Sequence, residues 1–241
     1  MTELNIPARG GGRLKGVPGT ELERGRNNPL IGLWLLDNVM ENEMFRTVVD
    51  PMCGPGQLWL NAIASDPRLK VYGCDINPDC VRLALANGIR AEEDWAQEYV
   101  PDLPDPLRAH DLICFSPIYP QNDHDSGKGE KQTQMVQERG AHAMQKIEGT
   151  RNLLPVFLHL QTYRAGAPIA VIARNAIENQ VEVDWVSEIE ASMVFAGLGP
   201  IERFFYSIPP GMTEQWKKAR NPRHRVITRE WILLSRSPEV H

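Results

Sequence analysis

Three stretches of this 241-residue chain combine residue types that can do chemistry. The first, Asp50-Pro51-Met52-Cys53-Gly54-Pro55-Gly56, follows the apolar run Thr47-Val48-Val49 and leads into a helical pattern. Its glycines remove Cβ atoms, so that backbone can approach a ligand, and a helix N-terminus follows directly. The second is Asp75, which closes the strand-like run from Lys70. An acceptor-only carboxylate there suits the two hydroxyls of a ribose. The third, Ser116-Pro117-Ile118-Tyr119, ends the apolar run Asp111 to Phe115 with a hydroxyl, a carbonyl held by proline and an aromatic ring. Taken singly, each is an ordinary turn. In the order strand, Asp-Pro-Met-Cys-Gly-Pro-Gly, helix, strand, Asp, they point to a nucleoside-bearing cofactor laid across the carboxyl ends of a parallel sheet. The spacing is not G-x-G-x-x-G, and no Gly-Lys-Ser/Thr follows, so a phosphate-cradling loop is excluded.

Positioning these residues requires alternating strands and helices. Helical apolar spacing runs over about 29–42, and Gln57 to Ser65 and Pro78 to Asn87 read as further helices. Later elements are a helix from Leu153 to Arg164, a strand over 168–174, a helix at about 184–197 and strands over 201–208 and 226–235. This alternation predicts an α/β fold with a doubly wound, mostly parallel seven-stranded sheet, the last two strands forming an antiparallel pair at its edge. Residues 1–29, rich in Gly, Pro and Arg, read as an irregular arm before a single domain over 30–241. Within that domain a polar insert at 121–150 and a basic loop at 209–225 interrupt the pattern.

Together the motifs resemble those of S-adenosylmethionine-dependent DNA amino-methyltransferases, which act on N4 of cytosine or N6 of adenine. Asp50 to Gly56 is similar to the family's D-P-F/M-C-G-S-G signature, and Gly73-Cys74-Asp75-Ile76-Asn77 to its G-x-D-I-x motif. Ser116-Pro117-Ile118-Tyr119 resembles the (D/N/S)-P-P-Y motif in its Ser-Pro-Pro-Tyr variant, and Arg229 to Arg236 the closing H-E-Y-I-L-V-F-R strand. The likeness spans roughly Asp50 to Arg236, with 121–150 unmatched. It implies a Rossmann-like methyltransferase fold that binds S-adenosylmethionine and releases S-adenosylhomocysteine. Carried over residue by residue, the cofactor set is Asp50, Met52, Cys53, Gly54, Gly56, Asp75, Ile76, Asp94 and Trp95. Asp50 and Gly54 line the methionine end, Asp75 takes the ribose, and Asp94, with Glu93 as the weaker match, meets the adenine amine.

The catalytic set implied is Ser116, Pro117, Ile118 and Tyr119. An exocyclic base nitrogen is a poor nucleophile because its lone pair is delocalised into the ring. Ser116 Oγ and the Pro117 carbonyl accept hydrogen bonds from the amine and aim its lone pair at the methyl. Tyr119 stacks on a base swung out of the duplex. Ser in the first position tilts the target towards cytosine N4 over adenine N6. Pro55 replaces the family's Ser, and Ile118 its second Pro. No Pro-Cys motif followed by Gln is present, which disfavours thiolate attack at cytosine C5. Two alternatives remain open: an RNA base or protein glutamine N-methyltransferase, and a non-catalytic nucleic-acid-binding protein of the same fold.

Composition bounds the partners. The chain has 42% hydrophobic residues and a net charge of −5, so it is not basic overall. Basic side chains cluster locally, however: Lys128 and Lys131 in the insert, and Lys217, Lys218, Arg220, Arg223 and Arg225 in the late loop. Such clusters suit phosphate contacts that position a nucleic acid without specifying its sequence. Double-stranded DNA is the expected partner, with RNA as the alternative and no membrane. No apolar run reaches the roughly 20 residues of a membrane span. No secretory signal pattern opens the chain. Cys53, Cys74, Cys80 and Cys114 lack zinc-site spacing and read as free thiols, with no metal expected. The expected setting is cytoplasmic, bacterial or phage-encoded.

Overall fold

The computed structural model describes residues 1–6, 28–40, 46–94, 96–100, 102–103, 111–117, 147–160, 166–178, 181–208 and 229–237. The strands, in chain order, are β1 (Thr2–Glu3), β2 (Thr47–Asp50), β3 (Lys70–Asp75), β4 (Arg90–Glu93), β5 (Leu112–Phe115), β6 (Pro168–Ala173), β7 (Ala176–Glu178), β8 (Val181–Val183), β9 (Glu202–Ser207) and β10 (Arg229–Arg236). The helices are α1 (Pro29–Asn38), α2 (Leu60–Ser65), α3 (Pro78–Ala86), α4 (Ala96–Tyr99), α5 (Ile147–Leu160) and α6 (Trp185–Phe195), and a 3-10 turn, Gln57–Trp59, leads into α2.

Eight strands make one sheet in the order β1-β9-β10-β6-β5-β2-β3-β4, while β7 and β8 form a separate hairpin. The central strands β2, β5 and β6 are apolar along almost their whole length because helices cover both faces. Under α1, α2 and α3 lies one core, including Ile31, Leu35, Ala62, Ala84, Val48 and Leu112. Under α4, α5 and α6 lies the other, including Tyr99, Phe157, Ile189, Val49, Ile113 and Phe115. Caps define the helix starts. The Asn28 side chain accepts from Leu30 N–H at 3.1 Å, Asn77 from Asp79 N–H at 3.0 Å and Asp184 from Ser187 N–H at 3.1 Å.

The doubly wound, mostly parallel architecture is as expected, with two differences, the number of strands and the start of one helix. The sheet has eight strands because Thr2–Glu3, within the stretch read as irregular, pairs in parallel with β9. The antiparallel pair of β9 and β10 stands at the edge as expected, with only the two-residue β1 beyond it among the described residues, and β10 lies between β6 and β9, antiparallel to both. Its run of buried residues, Glu230 to Leu233, is what an interior strand requires. The helix read from Leu153 starts earlier, with α5 beginning at Ile147. Besides β1, four of the described elements escaped the sequence pattern. Polar β4 and short α4 follow α3, and the β7–β8 hairpin follows β6.

From β2 the chain winds outward through β3 and β4, then returns to β5 and winds the other way through β6. The order therefore reverses between β2 and β5, and an open parallel sheet has its crevice at such a switch point, outside the carboxyl ends.

Candidate functional site

Asp50 ends β2 and is buried. Its two oxygens organise the loop that follows: Met52 N–H donates to Oδ1 at 3.2 Å, and the Trp59 indole N–H donates to Oδ2 at 2.8 Å. Trp59 is fully buried, so the loop and the turn beyond it are pinned by one carboxylate. Further ties fix the loop against its neighbours. Cys53 N–H donates to the Cys74 carbonyl at 3.0 Å and Gly56 N–H to the Cys53 carbonyl at 2.9 Å. The Cys74 thiol donates to the Pro51 carbonyl at 3.1 Å, and the Asn87 amide to the Pro55 carbonyl at 2.8 Å. Gly54 and Gly56 hold φ of 52° and 79°, a left-handed backbone that favours glycine.

Asp75, at the end of the adjacent β3, accepts from Gly54 N–H at 3.0 Å through Oδ2 and from Asn77 N–H at 2.8 Å through Oδ1. Loop and acid are thus locked together. Asp94 follows β4, and its N–H donates to the Asp75 carbonyl at 3.3 Å, which brings it to the same edge. Ser116 and Pro117 follow β5 directly. Val49 pairs with Ile113, so the Asp50 loop and Ser116 leave neighbouring strands on either side of the switch point.

Electrostatics mark the two acids. Burial pushes Asp50 up to about 7 against the lowering effect of its Trp59 and Met52 donors, with the nearby Asp75 charge adding to the rise. Asp75 is pushed up to about 6, again chiefly by burial and against the Asn77 and Gly54 N–H groups. The thiols of Cys53, Cys74 and Cys114 are held well above the ordinary range by burial, and all four cysteines are buried and outside any disulfide. They are small core residues rather than nucleophiles. Among the described residues no group of three or more His, Cys, Asp or Glu is placed to hold a metal, and no helix is long and apolar enough to cross a membrane.

Residues of this chain fit a nucleoside-bearing cofactor. Each Asp75 oxygen takes one backbone N–H and keeps accepting capacity, and a vicinal diol supplies two donors. A carboxylate whose hydration is already displaced gains from such donors. Asp50, by contrast, is only 2% exposed and serves first to shape the loop.

The structure therefore brings together Asp50, Met52, Cys53, Gly54, Gly56, Asp75, Ile76, Asp94, Ser116 and Pro117 at one edge. Trp95, Ile118, Tyr119, Lys128, Lys131, Lys217, Lys218, Arg220, Arg223 and Arg225 lie outside the described residues. Trp59 escaped the sequence reading, because its position among apolar helix residues carries no sign that its indole meets a carboxylate.

No protein-family model matches the chain, and no curated protein matches it in sequence. Solved structures do. A SAM-dependent methyltransferase from Archaeoglobus fulgidus superposes with a TM-score of 0.53 at 14% identity, over 88% of this chain and 95% of that one. Haemonchus contortus phosphoethanolamine N-methyltransferase 2, solved with phosphomonomethylethanolamine and S-adenosylhomocysteine, gives 0.52 at 12% identity, over 87% of this chain and 53% of that one. A geranyl diphosphate methyltransferase gives 0.50 at 13% identity, over 86% and 77%. The fold is the Rossmann-like fold of these methyltransferases.

Proposed function

We propose that the protein is an S-adenosylmethionine-dependent methyltransferase acting on the exocyclic amine of a nucleic-acid base, with DNA as substrate and cytosine N4 preferred over adenine N6. The observation that carries the reading is the placement of the Asp50–Gly56 loop, with Asp75 tied to it, and of Ser116–Pro117 on opposite sides of one switch point. The fold neighbours, among them enzymes named for SAM and for an N-methyl transfer, support the cofactor. The base as target is supported by the Ser116-Pro117-Ile118-Tyr119 motif, and DNA by the basic clusters around Lys217 and Arg223.

When bound, the cofactor supplies an electrophilic methyl on a sulfonium. Asp75 holds the ribose hydroxyls, and the Asp50-pinned loop leaves backbone close to the methionine end. Ser116 Oγ and the Pro117 carbonyl accept the two amine N–H groups, which localises the nitrogen lone pair and stabilises the positive charge that develops on it. The amine then gives up one proton to solvent.

The test is incubation with tritiated S-adenosylmethionine and unmodified DNA or RNA, followed by digestion and identification of the labelled nucleoside. Label in N4-methyldeoxycytidine is expected, and label in neither polymer overturns the reading. A Ser116→Ala variant is expected to lose transfer about 100-fold, within the range for a lost positioning or charge-stabilising contact, with cofactor affinity unchanged. Wild-type transfer by that variant removes Ser116 from the mechanism.

A further inference from the structure

We infer that Arg174 is the specificity-determining residue of the target side, reading the acceptor edge of the base whose amine rests on Ser116. The inference rests on the amine-methylation reading above and goes further by naming what chooses the base.

Register places the two residues. Phe115 pairs with Val171, so Ser116 is level with Ile172, and Arg174 lies two residues further out on the neighbouring strand line. Strands about 4.8 Å apart and a rise of about 3.3 Å per residue put the two Cα atoms about 8 Å apart, room for a base between their side chains. Alternation places them on one face. Phe115 and Ala173 both belong to the core beneath α4–α6, so their successors turn the other way. Asn175 marks the turn at the end of β6: its side-chain Oδ1 accepts from Val186 N–H of α6 at 3.2 Å, and its side-chain Nδ2 donates to Glu182 Oε1 of β8 at 2.8 Å. With Asn175 committed to α6, Arg174 faces the side shared by Asp50 and Asp75, whose predecessors Val49 and Cys74 also sit in the α4–α6 core.

The same line continues across the sheet. Trp231 pairs with Ala173 and Glu230 with Tyr206, so Glu230 falls beside Arg174 and Tyr206 beyond it. Both are buried, and the Tyr206 hydroxyl donates to Glu230 Oε2. Asp75, Asp50, Ser116, Arg174 and Glu230 thus form a polar row along one edge, three of them in β3, β2 and β10 and two just past the ends of β5 and β6. Arg174 is the cation in that row and is partly exposed.

Chemistry selects the partner. Arginine offers five donors and no acceptor in a rigid fork. Beside its N4 amine, cytosine presents the adjacent acceptors N3 and O2, a pair the fork can take together. Adenine presents a single acceptor on each side of its N6 amine, N1 flanked by C2–H and N7 on the other edge, and on neither side two adjacent acceptors for the fork. With Ser116 on the amine, Arg174 favours cytosine.

The experiment compares wild type, Arg174→Met and Arg174→Lys, using tritiated S-adenosylmethionine and unmodified mixed-sequence DNA, with cofactor affinity measured by calorimetry. Wild type is expected to label cytosine. Arg174→Met is expected to lose cytosine labelling about 10–100-fold, the discrimination worth of one bidentate base contact, with cofactor affinity within about twofold of wild type. Arg174→Lys, which keeps the charge and loses the fork, falls between them. Wild-type cytosine labelling by Arg174→Met overturns the inference, as does a loss matched by equal loss of cofactor affinity. Adenine labelled by the wild type overturns it while leaving the amine reading intact; label in neither base defeats both.

Discussion

Two carboxylates with raised pKa values, Asp50 buried and Asp75 half-buried, lie on adjacent strands at the carboxyl edge, Asp50 near 7 and Asp75 near 6. Both values exceed the unfolded one, so between about pH 4 and pH 7 the folded chain binds more protons than the unfolded chain. The pair's contribution to stability is therefore fullest at low pH and declines as pH rises through that window. On the proposed reading ligand binding runs the opposite way, because ribose hydroxyls would donate to the ionised form of Asp75. Cofactor affinity is expected to rise as pH rises through about 6 and to release protons near that pH, read by calorimetry in buffers of different ionisation enthalpy. Asp75→Asn is expected to flatten the profile and weaken binding by about 10–100-fold, the worth of hydrogen bonds to a charged group. A wild-type profile flat from pH 5 to 7.5 excludes Asp75 as the ribose acceptor. Trp59→Phe removes the indole donor to Asp50 and leaves a buried acceptor short of a partner. The expected cost is about 1–3 kcal/mol in chemical denaturation.

At the scale of elements, the cofactor loop must fold back across β3, and Gly73 leaves space for it. A Cβ at Gly73 would stand 2.6 Å from the Asp50 carbonyl and 2.9 Å from Cys53 Cβ, so β2 and the loop would have to move. Gly73→Ala is expected to cost about 1–3 kcal/mol by overpacking and to weaken cofactor binding as well. Gly88→Ala is the contrast: nothing lies within 4 Å of its Cβ, and only the φ of 85° opposes it. It is expected to lose about 1–2 kcal/mol of stability with cofactor affinity unchanged, by urea melts and calorimetry. The same elements explain what could be read in advance. Asp50, Asp75 and Ser116 each end an apolar run, and a buried parallel strand announces itself by such a run. Edge and hairpin strands do not. β4 is Arg-Ala-Glu-Glu, β1 has only two residues, and β7 and β8 have three each. Trp59 and Arg174 were illegible for another reason: their meaning depends on which strand lies beside which, and register is not written locally.

For the molecule as a whole, two of the three buried charged side chains among the described residues lie at one end, while Asp111 is buried at the other, where β5 begins. Asp50 and Glu230 are almost fully buried at the carboxyl edge, where the crevice opens. A ligand that binds only the native state shifts unfolding by mass action, about 2.7 kcal/mol at a hundredfold excess over Kd. For a chain of this size that corresponds to a melting shift of about 5–10 °C at pH 8. A smaller shift is expected at pH 5.5, where Asp75 is largely protonated, and equal shifts at the two pH values would contradict the titration argument above.

The interior position of β10 carries a consequence for biosynthesis. This strand, the last of those described, is hydrogen-bonded on one side to β6 and on the other to β9, and it buries Trp231, Ile232 and Leu233. While the ribosome is still making residues up to 228, β6 has only one of its two strand neighbours, and β9 has no route to the rest of the sheet. A nascent chain therefore carries an open, apolar strand edge until residues 229–236 emerge, which makes this stage one exposed to aggregation and chaperone capture.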